Sequence, residues 1–155
     1  MEQTGVLERP AVNIRWPRSQ VKGLPDMSTK EEDTRFLTVC KKADFAAAHY
    51  LPNYNGKCRN LHGHLWTIEI AVAGPLSKET GMVVDFTILS NLLKQVVASL
   101  DHTLLNDKIE NPTAENIALY IEQKYNEQDW GFGKDISLRW IKVWETPDSM
   151  AMLEE

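Results

Sequence analysis

The sequence predicts a single α+β domain. Three observations carry this: two strand-like segments come first, two amphipathic helical segments follow, and a last strand-like segment comes near the end. Long strands in that order pair most simply as antiparallel hairpins. The two helices would then cover one face of the sheet. The other face would be left without a cover, so the chain is expected to oligomerise. The pattern is not the strand–helix alternation of a doubly wound parallel sheet.

Residues 1–34 stand apart from the rest. They hold Pro10, Pro17, Pro25 and the polar run Ser28-Thr29-Lys30-Glu31-Glu32-Asp33, without sustained periodicity. The expectation is a flexible N-terminal extension, followed by one domain over residues 35–155. Arg35 to Phe45 reads as a strand, with Leu37, Val39, Ala43 and Phe45 on one parity. Residues 50–60, rich in Pro, Asn and Gly, read as a loop. Leu61 to Ala73 reads as a long strand ended by Gly74-Pro75. Asp85 is placed to cap a helix whose stripe is Leu89, Leu92, Leu93, Val96, Val97 and Leu100. Asn111-Pro112-Thr113 supplies N-cap and first-turn chemistry for a second helix, with Ala114, Ile117, Ala118, Ile121 and Tyr125 as its buried stripe. Trp130-Gly131-Phe132-Gly133 breaks that helix, and Ile136 to Trp144 reads as the last strand.

Composition narrows the function. The 155 residues suffice for one domain, and 43% apolar with 25% charged residues is ordinary globular usage. A net charge of −5 argues against a general nucleic-acid binder. No stretch approaches the roughly 18 apolar residues of a membrane span, and no apolar signal region opens the chain, so a cytoplasmic protein is expected. The two cysteines, Cys40 and Cys58, are too few for a disulfide scaffold and read as reduced thiols.

Chemistry concentrates around the histidines, of which the chain has four. His62 and His64 are two apart on a predicted strand, so both leave the same face, about 6.5 to 7 Å apart. His49 ends the preceding strand, and the intervening loop can return it to the same edge. Three neutral imidazoles with one open position is the pattern of a catalytic zinc site. An HxH pair alone more often means two unrelated histidines; His49 within reach tips the balance to metal. Cys58, four residues before His62, could instead complete a closed Cys-His₃ site. A cupin-like pattern running from Gly56 through His62 and His64 to Glu69 is a weaker rival, because Glu69 has the opposite parity. Lys57 and Arg59 beside Cys58 could lower its pKa toward thiolate. Asp101 could hold His102 as an acid–base dyad, although a helix cap beside a surface histidine is the commoner meaning of such a pair. Glu145, at the end of the last strand, could accept two N–H bonds from a guanidine-like edge of a heterocycle if buried.

Together these segments resemble the 6-pyruvoyl-tetrahydropterin and 6-carboxy-tetrahydropterin synthase family. The matching stretches are Phe45-Ala46-Ala47-Ala48-His49, Cys58-Arg59-Asn60-Leu61-His62-Gly63-His64, Gly81-Met82-Val83-Val84-Asp85-Phe86, Leu100 to Asp107, Asn111 to Asn116, and Val143-Trp144-Glu145-Thr146. The resemblance implies the tunnelling fold (T-fold): a four-stranded antiparallel sheet with two helices on one face. Subunits would join into trimeric barrels and two barrels into a homohexamer. It implies zinc on His49, His62 and His64, Cys58 as catalytic base, and Asp101 with His102 as a second proton-transfer unit. It implies Glu145 as the anchor of a pterin ring and Thr113 as a further pterin contact. The compact Cys58-x₃-His62-Gly63-His64 spacing resembles the carboxy-tetrahydropterin branch, which serves queuosine and other deazapurines. That branch would convert 7,8-dihydroneopterin triphosphate, releasing acetaldehyde and triphosphate. Pyruvoyl-forming activity and a non-catalytic zinc- or pterin-binding module remain as alternatives. A third branch, which cleaves dihydroneopterin, carries a Glu in place of the Cys.

Overall fold

The computed structural model describes residues 35–155; the extension expected over residues 1–34 lies outside the described residues. Strands β1 (Phe36–His49) and β2 (His62–Pro75) are followed by helices α1 (Phe86–Leu100) and α2 (Ala114–Asn126), then by strands β3 (Ser137–Thr146) and β4 (Ser149–Glu154). The sheet order is β1-β2-β3-β4, and every neighbouring pair is antiparallel. The α+β class and the four-stranded sheet therefore hold. Strand β4 is the element that residue patterning alone did not yield. It is six residues long and half exposed, and its only core contact of note is Leu153.

Period-two alternation sets the faces. On β2 the even positions Trp66, Ile68, Ile70 and Val72 are fully buried, and on β1 Phe45 and Ala47 share their side. Onto that side α1 lays Leu89, Leu92, Leu93, Val96 and Leu100, and α2 lays Ile117, Ala118 and Ile121. Ile141 and Val143 of β3 complete the core. Fully burying each such side chain contributes about 1.5–3 kcal/mol. Asp85 caps α1 as expected, its carboxylate accepting from Thr87 N at 2.7 Å. The cap of α2 differs by two residues. Thr113, rather than Asn111, takes it, its hydroxyl accepting from Asn116 N at 3.3 Å. Pro112 therefore precedes the helix and its carbonyl is free for another partner. At the far end of β2, Gly74 is demanded by packing. A Cβ there would meet Ile136 Cδ1 at 2.3 Å and Asp135 O at 2.9 Å.

The opposite face carries Cys40, Lys42, Thr67, Glu69, Trp140, Lys142 and Trp144. Glu69 points away from the histidines, as its parity requires, which removes the cupin alternative together with the two helices. It is nevertheless only 6% exposed. Trp140 Nε1 donates to it at 2.7 Å, and Lys142 and Lys42 lie at 3.3 and 3.5 Å. Burial pushes its carboxyl pKa up, but the Trp140 and Lys142 hydrogen bonds and the two lysine charges prevail and hold it below the ordinary carboxylate value.

Two irregularities lie at the mouth of the sheet. Pairing between β2 and β3 stops at Thr67↔Trp144, so β2 runs on toward His62 with only β1 beside it. Opposite β4 the register shifts between Trp144 and Thr146, leaving Glu145 as the extra residue of a bulge.

Candidate active site

His62 and His64 continue the core-facing row of β2 beyond Trp66. His49 lies directly across from His62, and Ala47 across from His64. Antiparallel pairing thus brings to one place three imidazoles that the sequence separates by a loop. Their rings stand 4.4, 5.0 and 5.3 Å apart between centroids, and His49 and His64 each meet the edge or face of buried Trp66 at 5.0 and 5.4 Å. The imidazole cluster caps the hydrophobic core, and Trp66 forms its floor.

Backbone carbonyls orient two of the rings. His49 Nδ1 donates to Pro112 O at 2.8 Å, and His62 Nδ1 donates to Asn60 O at 2.7 Å. A carbonyl only accepts, so each Nδ1 carries the hydrogen and turns Nε2 inward. Asn106 fixes the chain just after His49, with Tyr50 N donating to its Oδ1 at 3.0 Å and its Nδ2 donating to Tyr50 O at 2.8 Å. Burial pushes the His49 pKa below the usual imidazole value, which favours the neutral ring a metal needs.

The donor set fits a metal ion. Nε2 of His49, His62 and His64 are all buried and none has a hydrogen-bond partner. Such orphaned atoms are rare in a folded protein. Together with a Glu145 oxygen they lie within 4.8 Å of one another. Glu145 Oε1 stands 3.3 Å from Nε2 of both His49 and His64. Imidazole nitrogens and a carboxylate oxygen suit zinc. Among the described residues this group contains Glu145 and not Cys58, which disfavours a closed Cys-His₃ centre.

The remaining expected residues fall into place differently. Cys58 is half-buried on a 3₁₀ turn, Lys57–Arg59, and its carbonyl accepts from Leu51 N at 2.8 Å. Asp101 closes α1 and holds two partners: Oδ2 accepts from His102 Nδ1 at 2.8 Å, and Oδ1 from Ala46 N at 2.8 Å. Those hydrogen bonds, the Ala46 one foremost, hold its carboxyl below the ordinary value. His102 takes a left-handed backbone, φ 54°, pinned by His102 N donating to Ala46 O at 2.7 Å. Its ring is exposed and lines a cavity of about 580 Å³ with Ala46–Ala48, Gly63, His64, Leu65, Thr103 and Leu104. His102 thus shares a cavity lining with His64 of the imidazole cluster. Thr113 spends its hydroxyl on the helix cap, one residue from the carbonyl that orients His49. Pro112 and Asn60 act through backbone carbonyls, for which the sequence carried no signal, whereas Asn106 acts through its side-chain amide.

A four-stranded antiparallel sheet backed by two helices, with an imidazole cluster at its mouth, defines a tunnelling-fold protein. The chain belongs to the 6-pyruvoyl tetrahydropterin synthase family, whose model matches residues 38–155. It is similar to 6-carboxy-5,6,7,8-tetrahydropterin synthase of Synechocystis sp., 45% identical over 96 residues, 57% of this chain and 74% of that one. It is also similar to dihydroneopterin monophosphate aldolase of Pyrococcus furiosus, 38% identical over 107 residues, 69% of this chain and 88% of that one. It shares the fold of Caenorhabditis elegans 6-pyruvoyl tetrahydropterin synthase, with TM-score 0.69 and 24% identity over 79% of this chain and 98% of that one.

Proposed function

We propose that the chain is a zinc-dependent carbon–carbon lyase of the deazapurine pathway to queuosine. It converts 7,8-dihydroneopterin triphosphate to 6-carboxy-5,6,7,8-tetrahydropterin, with release of acetaldehyde and triphosphate. The observation that carries the reading is His64, which belongs to the orphaned imidazole cluster and also lines the cavity onto which His102 opens. A substrate held there meets a cation site and an oriented acid–base dyad together.

His49, His62 and His64 hold the metal. Zinc held there would supply Lewis acidity toward the substrate side chain. Cys58 stands as the base for a carbon-bound proton of the substrate side chain. Asp101 holds His102 in one tautomer, with Nε2 left to exchange protons on the other side. Glu145 and Thr113 stand as residues for the pterin ring. Two free cysteines and the lack of any described helix long and apolar enough to cross a membrane are in keeping with a cytoplasmic enzyme. The sheet presents β1 and β4 as edges, which supports assembly of barrels into a homohexamer as a dimer of trimers.

The test is incubation of the zinc-loaded protein with dihydroneopterin triphosphate, with mass-spectrometric detection of products. Carboxy-tetrahydropterin with acetaldehyde is expected. Pyruvoyl-tetrahydropterin without acetaldehyde would assign the biopterin-type reaction. A hydroxymethyl-pterin would assign the aldolase reading, which the Pyrococcus relative favours and Cys58 disfavours. No turnover would leave a binding module.

A further inference from the structure

Glu145 was expected to meet the pterin ring, yet its carboxylate lies among the metal donors. One oxygen, Oε1, is 3.3 Å from Nε2 of His49 and 3.3 Å from Nε2 of His64. Neither contact has hydrogen-bond geometry, since both nitrogens are without a partner. The Nδ1 of His49 is committed to Pro112 O, so its Nε2 faces Oε1 as one acceptor faces another. Two acceptors at that distance repel unless a cation lies between them. The spacing has a natural meaning: zinc–nitrogen and zinc–oxygen bonds of about 2.0–2.2 Å give a tetrahedral edge of about 3.3–3.5 Å.

Two features give the carboxylate a second position. Glu145 is the extra residue of the β3 bulge, a device that re-aims a side chain beside an active site. It also lines a cavity of about 590 Å³ with Lys42, His64, Thr67, Trp144 and Thr146. Its side chain is 31% exposed, so it has room to move.

We propose that Glu145 is the fourth donor to the metal in the substrate-free protein and that the oxygen of an incoming side-chain diol takes its place. The inference rests on the metal reading above. It makes the resting centre four-coordinate and closed, with a displaceable carboxylate where a water would otherwise bind. Displacement frees the same carboxylate for the N–H edge of a heterocycle in the adjoining cavity. No bond is made or broken in the substrate; one ligand exchanges for another.

The experiment uses zinc and cobalt(II) as probes on the full chain, comparing wild type, Glu145→Gln, Glu145→Ala and His62→Ala. Chelator competition reads affinity, and cobalt ligand-field absorption reads coordination. Glu145→Gln and Glu145→Ala are expected to weaken metal binding by about 10-fold or more and to change the cobalt spectrum, with His62→Ala losing the metal. Saturating dihydroneopterin should shift the wild-type spectrum while leaving affinity for the three imidazoles intact. Wild-type affinity and an unchanged spectrum in both Glu145 variants would overturn the proposal while the metal reading stands. A wild type that binds neither ion would overturn both. Melting of each metal-free variant at the metal-free wild-type temperature keeps the comparison clean.

Discussion

Stripping the metal should cost the domain much of its thermal stability. Three buried imidazole nitrogens have no hydrogen-bond partner among the described residues, and a bound ion would satisfy all three. A ligand that binds only the folded state at about 1,000 times its Kd stabilises by about 4 kcal/mol. The described domain has roughly 120 residues, so its unfolding entropy near the midpoint is about 0.25 kcal/mol/K. The quotient is a Tm shift of about 16 °C. The assay is differential scanning calorimetry on chelator-treated and zinc-loaded protein at fixed protein concentration, with His62→Ala as control. The shift should disappear in the control, because that variant removes a donor whose ring is set by Asn60 O. Loaded and stripped wild type melting within about 2 °C of each other would refute the reasoning, as would a full shift in His62→Ala.

Cys58→Ala should abolish most turnover and leave zinc content unchanged, by metal analysis and product assay; loss of zinc would revive the Cys-His₃ centre. Asp101→Asn should lower turnover about 10²- to 10⁴-fold with metal retained, because the His102 tautomer is no longer fixed. Thr113→Ala removes the α2 cap and should cost about 1 kcal/mol in urea unfolding. Glu69 has its folded pKa depressed below 4.5, so its contribution to stability is present above pH 4.5 and is lost as pH falls through the folded value. Trp140→Phe removes the hydrogen bond from Trp140 Nε1 and should shrink that acid sensitivity, measured as the difference in unfolding midpoint between pH 6 and pH 3.

The fold was legible wherever one period ran long. The α1 stripe and the even row of β2 name their buried residues in advance, and Asp85 names its helix start. Strand β4 was not legible, because a short edge strand buries too little to write a pattern. The cap of α2 slipped by two because Asn111 and Thr113 are both good caps and only tertiary contact chooses between them. The choice of Thr113 frees the Pro112 carbonyl for His49, 63 residues away in sequence. The imidazole trio was readable from parity and the hairpin. The place of Glu145 was not, since it depends on a register shift against β4 that the residue pattern of β3 does not announce. The burial of Glu69 likewise comes from three long side chains of neighbouring strands, which no single segment encodes.

The residues of the candidate metal site are unevenly spread along the chain. His49, His62 and His64 all come from β1 and β2, which pair with each other over their whole length. Glu145 arrives on β3, after both helices. A chain leaving the ribosome N-terminus first therefore has its imidazole trio long before its carboxylate exists. His49 takes its orienting bond from Pro112 O, so even the trio is not set until the chain has passed α1. Completion of the proposed four-donor set would thus wait for β3 to dock beside β2.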